Sequence, residues 1–278
     1  MTVRIHKDGQ GSERHLAGVR FSPPGAVVHR CTAFRTANNF QIPPVLDVPV
    51  FSELPIRDQG AMGRCTGETQ TRLGEAIILK RTGKQVRLSP LFSYNVGRME
   101  AGVPLTEDSG LMIPDVMAGD EARGICLEEF FPTTADGLTR EPTVEARTNA
   151  LDHRALLYYH CPTAETVIAA LQQGFGVSAG IVCYENLMSA ECARSGEIKR
   201  PEPGERSLGG HNIPIRGWIA DKVVDGEKGC FVIDNSWGPD WGCQVFGAPT
   251  RGHAYIPRWY IDSGNMSEAL CSRGREHT

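Results

Sequence analysis

The sequence lacks the features that define several large classes of protein. No stretch approaches the ~20 consecutive apolar residues that span a bilayer, so we expect no membrane partner. Its 29 basic and 33 acidic residues give a net charge of −4, and without a basic excess we expect no nucleic-acid partner. No apolar run follows the first residues, so we expect no secretory signal and a protein that is cytoplasmic as synthesised.

Patterns that bind metals are missing as well. The nine cysteines are irregularly spaced with no C-x-x-C pair, and no H-E-x-x-H motif occurs, so the sequence predicts no metal site. It also indicates no cofactor. In a reducing compartment most cysteines are small buried hydrophobes. Because their number is odd, at least one is unpaired, and that thiol is available for chemistry.

What is present is the composition of a folded globule, with 40% hydrophobic and 22% charged residues in a chain of 278. Residues 1–45 are polar and punctuated by proline, and they predict an extended N-terminal arm. Helical patterns follow in 46–157 and strand patterns in 158–262, ahead of a C-terminal tail at 263–278. Helices first and strands later indicate an α+β fold, with two lobes that meet at a cleft.

Start and stop signals place the main elements. An apolar stripe that ends before Gly83 predicts one helix, and Ser89-Pro90 predicts the start of the next. A third helix is expected over 111–121 and a fourth over 164–173. Short apolar runs predict strands at 177–182, 213–219, 230–234 and 253–256.

A glycine-punctuated loop leads into the first of these helices and carries Cys65. At a helix N-terminus the unpaired amides and the helix dipole favour a thiolate over a thiol. The thiolate is the competent nucleophile. A buried structural cysteine is the plainer interpretation, but the Gln-Gly-x-x-Gly-x-Cys context that begins at Gln59 favours the nucleophile.

Two further side chains complete a candidate constellation. His211 follows a Ser-Leu-Gly-Gly segment at the entrance of a predicted strand, where its backbone is fixed and access is open; a solvated turn histidine is the alternative. Asn235 ends another predicted strand, and its side-chain oxygen is suited to fix the orientation and tautomer of a histidine ring. Trp237 is placed to shield that bond from water.

Together these residues resemble the papain-like cysteine peptidase family in its bacterial-type branch. His211 follows Cys65 by about 146 residues and Asn235 follows His211 by about 24, which is close to the spacing of that family. The resemblance covers roughly residues 46–262. It implies a papain-like two-lobed fold, in which a helical lobe and an antiparallel β-barrel-like lobe hold the active-site cleft between them.

The resemblance also implies a cysteine endopeptidase that hydrolyses a peptide or protein substrate through a thioester acyl-enzyme. Cys65 would attack the scissile carbonyl, and His211 would carry the proton. Asn235 would orient His211, and Gln59 would form the oxyanion hole with the backbone N–H of Cys65. The expected substrate-binding residues are Gly110, Leu111, Met112, Gly209, Gly210 and Trp237.

A few positions depart from the family pattern. Met62 and Arg64 stand where small residues or a cysteine are usual, so the common disulfide near the nucleophile is absent. Asn212 replaces a small apolar residue after the histidine. The segment Gly242-Cys243-Gln244 interrupts the usual glycine–aromatic continuation. None of these departures removes a catalytic group.

Two other functions stay open on the sequence alone. One is a catalytically idle papain-like domain that serves as a structural or binding component of a larger assembly. The unusual arm keeps it open, and the retention of Gln59, Cys65, His211 and Asn235 together argues against it. The other is acyl transfer as in transglutaminases, against which Asn235 weighs, because those enzymes use an aspartate. The arm is shorter than the usual prosegment, so either no prosegment is needed, or the arm covers the cleft or docks onto a protein partner.

Overall fold

A computed structural model describes residues 5–16, 18–23, 31–154 and 156–274. Parts of the predicted arm (1–4, 17 and 24–30) and of the predicted tail (275–278) lie outside the described residues. The α-helices are α1 (Cys65–Thr82), α2 (Pro90–Glu100), α3 (Ile113–Arg123), α4 (Val144–Ala150), α5 (Ala164–Gln172), α6 (Ala190–Ser195) and α7 (Trp259–Asp262). The strands are β1 (Ile5–Lys7), β2 (Glu13–His15), β3 (Thr32–Ala33), β4 (Val45–Asp47), β5 (Leu156–His160), β6 (Val177–Tyr184), β7 (Ser207–Val224), β8 (Glu227–Asp234), β9 (His253–Pro257) and β10 (Met266–Gly274).

The helices form where local capping chemistry predicts them. The hydroxyl of Ser89 accepts the backbone N–H of Phe92 at 3.0 Å and so starts α2. Gly83 ends α1 in the left-handed conformation, with a φ of 68°. Helix α3 begins two residues later than expected, because Leu111 is held in an extended bridge to the N-terminal segment instead.

Eight of the described strands, most of them from the second half of the chain, form a single open sheet. Its strand order is β3-β5-β10-β6-β7-β8-β9, with β4 beside β7. All pairs are antiparallel except β3 with β5. Leu73 of α1 shares one hydrophobic core with Ile215 of β7 and Phe231 of β8, so α1 packs across the sheet. The predicted two-lobed α+β fold is confirmed, although the described strands form no closed barrel.

Two strands differ from the sequence-based expectation. Strand β7 runs from Ser207 to Val224, well beyond the predicted 213–219. Strand β10 lies inside the predicted tail, yet it pairs with both β5 and β6 near the middle of the sheet. It carries a bulge at the polar residue Glu268, whose φ is 54°. That bulge breaks the period-2 pattern by which a strand is recognised. The lobe boundaries at 46–157 and 158–262 stay predictions.

The N-terminal segment is folded against the rest of the chain. Strands β1 and β2 pair as an antiparallel hairpin, with Ile5 opposite His15. The chain then reaches Leu111, where Val19 forms a parallel bridge. Further on, β3 pairs with β5. Among the helices of the described residues, none is both long and apolar enough to cross a membrane.

Candidate active site

Cys65 is the first residue of α1 and its side chain is fully buried. Its Sγ accepts the backbone N–H of Asn212, on β7, at 3.4 Å. Burial raises the pKa of the Cys65 thiol to about 12, while the N–H groups of Asn212 and Thr66 oppose that rise. In this conformation the sulfur is therefore a thiol, although it lies at the helix N-terminus where a thiolate would be stabilised.

His211 lies on β7 next to the residue that contacts the sulfur. Its Nε2 is 2.9 Å from Oδ1 of Asn235, at the end of β8, and its Nδ1 is buried without a hydrogen-bond partner. Burial lowers the pKa of His211 to about 4; the bond to Asn235 opposes this shift, and the positive charge of Arg14 adds to it. The ring of Trp237 is 5.2 Å from the imidazole, centroid to centroid. The structure thus brings together the histidine, asparagine and tryptophan singled out in the sequence.

Gln59 is held in front of α1 by contacts on both ends of its amide. Its Oε1 accepts the hydroxyl of Ser236 at 2.6 Å, and its Nε2 donates to the carbonyl of Met62 at 2.9 Å. The backbone N–H of Gln59 also donates to Ser236. Sequence reasoning missed this positioning contact of Ser236, although the residue lies inside the Asn-Ser-Trp-Gly motif that drew attention to Asn235.

Arg64, one of the departures from the family pattern, is buried beneath the same loop. Its guanidinium donates to the carbonyls of Gln59 at 2.9 Å and Asp58 at 3.3 Å. It also forms an ion pair with Glu68 of α1 at 2.8 Å. The arginine therefore ties the Gln59 loop to the helix that carries Cys65.

The N-terminal segment crosses the front of the sulfur. Leu111 donates its N–H to the carbonyl of Gly18 at 3.1 Å and accepts the N–H of Arg20 at 3.1 Å. On the other side, the N–H of Val19 donates to the carbonyl of Gly210 at 3.3 Å. A Cβ on Gly18 would stand 2.7 Å from the Sγ of Cys65, so only glycine permits this approach. Residues 18–20, which we call the cleft segment, therefore lie between Leu111 and Gly210 and beside the sulfur of Cys65.

A buried arginine holds the cleft segment in place. Arg14 donates to Asp8 at 2.7 Å, to Asp58 at 2.5 Å and to the carbonyl of Trp237 at 3.0 Å. Its guanidinium also lies 5.5 Å from the centre of the Trp237 ring. The neighbouring His15 has its Nε2 3.2 Å from the carbonyl of Asp108. These contacts join the β1–β2 hairpin to the loops that carry Gln59 and Trp237.

The predicted substrate-binding residues on the helical lobe are placed differently from expectation. The N–H of Gly110 donates to the hydroxyl of Tyr94 at 3.1 Å, so the backbone pairing across the cleft is made by Leu111 instead. The side chain of Leu111 is buried in a cluster with Tyr94 and Val116 and is not free to line a pocket. Met112 faces the N-terminal segment, with its sulfur 3.6 Å from the hydroxyl of Ser22.

The predicted binding residues on the sheet lie along the same segment. A Cβ added to Gly210 would lie 2.8 Å from the carbonyl oxygen of Val19 and 3.0 Å from the ring of Phe21. Gly209 pairs with Cys183 on β6, one residue farther along the strand. Trp237 is buried between His211 and Trp241 and contacts the N-terminal segment through its carbonyl. In the described part of the chain, no group of three or more His, Cys, Asp or Glu side chains is arranged to hold a metal ion.

Comparison with curated proteins finds distant relatives. An uncharacterized peptidase C1-like protein of Acanthamoeba polyphaga mimivirus is 26% identical over 220 residues, which cover 76% of this chain and 66% of that protein. Procathepsin L of Felis catus is 26% identical over 195 residues, which cover 69% of this chain and 55% of that protein. This chain thus spans somewhat less than two thirds of one relative and about half of the other. No family model matches the chain.

Solved structures agree on the architecture. Xylellain, a cysteine protease from Xylella fastidiosa, superposes with a TM-score of 0.79 over 99% of this chain and 100% of its own, at 19% identity. The chain has the fold of papain-like cysteine peptidases. A second papain-like structure, proCathepsin B S9 from Trypanosoma congolense, superposes with a TM-score of 0.69 over 99% of this chain and 94% of its own, at 15% identity. These two likenesses show the papain-like fold.

Proposed function

We propose that this protein is a cysteine endopeptidase that hydrolyses peptide bonds of peptide or protein substrates. The observation that carries the proposal is the 2.9 Å contact between Nε2 of His211 and Oδ1 of Asn235. That contact leaves Nδ1 of His211 as the ring nitrogen available to Cys65. The likeness of the chain to a peptidase C1-like protein and to xylellain, a cysteine protease, supports the same reaction.

Each catalytic group has a defined task in the proposed reaction. The Cys65 thiolate attacks the scissile carbonyl carbon, and the oxygen that becomes negative is held by the Gln59 amide and the backbone N–H of Cys65. The His211 imidazolium donates its proton to the leaving amine, which departs as the thioester forms. His211 then removes a proton from water, whose oxygen attacks the thioester and releases a carboxylic acid and the thiol. Asn235 keeps the imidazole in the required orientation throughout.

The described conformation corresponds to a latent form of this enzyme. The cleft segment fills the space for substrate, and burial keeps the proton on Cys65 while His211 stays neutral. We infer that residues 18–20 must leave before peptide enters, and that solvent then restores the charged sulfur–imidazole pair. The arm therefore acts first on its own cleft, and a separate protein partner for it stays a prediction.

Substitution of the nucleophile tests the proposal. Cys65→Ala should abolish hydrolysis of a fluorogenic peptide by the activated protein while the far-UV circular dichroism stays unchanged. Cys243→Ala is the matched control, since Cys243 is a half-buried thiol away from the cleft and its loss should leave activity intact. Hydrolysis that persists at the wild-type rate in Cys65→Ala would show that this sulfur is not the nucleophile.

Labelling of thiols gives an independent test. After the cleft segment is released, an epoxide of the E-64 type should modify Cys65 far faster than the other eight cysteines near neutral pH. Before release, the half-buried Cys31 and Cys243 should react before Cys65, because Cys65 is fully buried. Equal labelling of all cysteines in the released protein, read by peptide mass mapping, would exclude an activated thiolate.

A further inference from the structure

Asn212 is an unusual residue to find directly after the histidine of such a site, and it is buried. Every polar group that it carries is engaged. Its side-chain Nδ2 donates to Ser178 at 3.0 Å and to the carbonyl of Ala179 at 2.9 Å, both on β6. Its Oδ1 accepts the Ser178 hydroxyl at 3.3 Å. Its backbone carbonyl accepts the hydroxyl of Thr69 at 3.0 Å, and its backbone N–H donates to the Sγ of Cys65.

These contacts join the strand that carries the base to the helix that carries the nucleophile. Gln70, five residues after Cys65 on α1, donates to the hydroxyl of Ser178 at 3.2 Å. Side chains alternate along a strand, so His211 faces the cleft while Asn212 faces the opposite side. The polar network of Gln70, Ser178 and Asn212 therefore lies directly behind the reacting pair.

We propose that Asn212 is a positioning residue that holds His211 against Cys65 through its buried hydrogen bonds to Ser178 and Ala179. This inference rests on the proposed function and adds a residue to it. A small apolar side chain at this position would leave β7 here to its backbone pairing with β6 and to packing. The asparagine fixes the strand by directional bonds that satisfy its own side chain, although the Oε1 of Gln70 in the same network is buried without a partner.

The same bonds set the sulfur contact. The N–H of Asn212 is one of two backbone donors that favour the thiolate of Cys65. Its 3.4 Å distance to Sγ depends on where β7 lies relative to α1. If the side-chain bonds are lost, β7 is freed to shift, and both this donor and the imidazole lose their alignment with the sulfur.

The test is Asn212→Ala in the full-length chain, assayed after the cleft segment is released, with Asn186→Ala as the matched control. Asn186 also donates to two backbone carbonyls, those of Lys199 and Arg200, but it lies outside the site. For Asn212→Ala we expect kcat to fall about tenfold with KM nearly unchanged, the effect of losing one positioning hydrogen bond. The midpoint of Cys65 labelling against pH should rise by about one unit. Asn186→Ala should lower the melting temperature alone.

Ser178→Ala removes the partner instead of the asparagine and serves if Asn212→Ala fails to fold. It should give the same fall in kcat and the same shift in the labelling midpoint. The proposal is overturned if either folded variant lowers the melting temperature yet keeps the wild-type kcat and midpoint, as expected of Asn186→Ala. A wild-type chain that shows no hydrolysis and no preferential labelling of Cys65 even after the cleft segment is released would instead refute the proposed peptidase function.

Discussion

Replacement of Arg14 by alanine should open the cleft. The hydrogen bond from the charged guanidinium to the Trp237 carbonyl contributes about 1.5–3 kcal/mol. The contact with the Trp237 ring adds about 0.5–1 kcal/mol. The ion pair with Asp58 adds about 0–1 kcal/mol, because the Asp58 side chain is 50% exposed and solvent screens it. The bond to Asp8 is not counted, since it lies within the N-terminal segment itself.

The sum is about 3 kcal/mol of affinity between the N-terminal segment and the cleft, which corresponds to about a hundredfold change in the ratio of open to covered molecules. The assay is the rate of Cys65 modification by an epoxide of the E-64 type at pH 7, followed by peptide mass mapping. We expect Arg14→Ala to react up to about a hundredfold faster than the wild-type chain, because labelling needs the open form.

Arg20→Ala is the matched control for this prediction. Arg20 belongs to the same segment, but its side chain is exposed, so its loss should change the labelling rate by no more than about twofold. Labelling of Arg14→Ala at the rate of Arg20→Ala, in a protein with unchanged circular dichroism, would mean that Arg14 does not hold the segment over the sulfur.

Three further predictions concern the groups around the cleft. Gln59→Ala should lower kcat for a peptide substrate about 10²–10³-fold with little change in KM, and a loss below tenfold would remove Gln59 from the oxyanion hole. Asp234→Asn should lower the free energy of unfolding, measured in urea at pH 7, by about 3–5 kcal/mol, because the carboxylate pairs with buried Arg72 at 2.6 Å. Arg72 and other cationic partners hold the pKa of Asp234 below its ordinary value, so this difference should shrink as the pH falls below about 3.8; a constant difference would contradict the assignment. Burial in the covered form lowers the pKa of His211 to about 4, so acidification toward that value should favour the open form, in which the ring is solvated; the amide of Val19 should then exchange hydrogen faster beyond the intrinsic pH effect. Unchanged protection of that amide would argue against the coupling.

The parts of the structure that could be predicted from the sequence depend on local chemistry. Ser89-Pro90 starts α2 and Gly83 ends α1 by interactions within one turn of each residue. His211 and Asn235 could be predicted because His211 precedes one short apolar run and Asn235 ends another, each beside a recognisable motif. The contact that joins them spans 24 residues, but the two strands that carry them are consecutive in the chain.

The parts that could not be predicted depend on contacts between distant segments. The position of the cleft segment over Cys65 follows from Arg14, whose partners Asp58 and Trp237 are 44 and 223 residues away. No sequence pattern near Arg14 indicates that Asp58 and Trp237 are its partners. Strand β10 was likewise hidden, since the bulge at Glu268 interrupts its pattern and its place in the sheet is set by β5 and β6.

Arg64 departs from the family pattern, and its role in the fold could not be predicted from the sequence. A large cation beside the nucleophile suggests crowding when only the chain order is known. In the folded protein its guanidinium lies under the loop, bound to the carbonyls of Asp58 and Gln59 and paired with Glu68. The arginine thereby does for this loop what a covalent link to the neighbouring chain would do, since it restricts the loop without a disulfide.

The N-terminal segment restrains the site in two physically separate ways. Backbone pairing of Gly18 and Arg20 with Leu111 excludes a substrate by occupying its space. Burial of Cys65 and His211 keeps the proton on sulfur, because the thiol pKa is raised to about 12 while the imidazole pKa falls to about 4. If the segment only excluded substrate, the charged Cys65–His211 pair would be buried beneath it. The free-energy cost of burying those charges would destabilise the covered state. The neutral pair reduces this cost, so covering of the cleft is coupled to transfer of the proton from the imidazole to the sulfur.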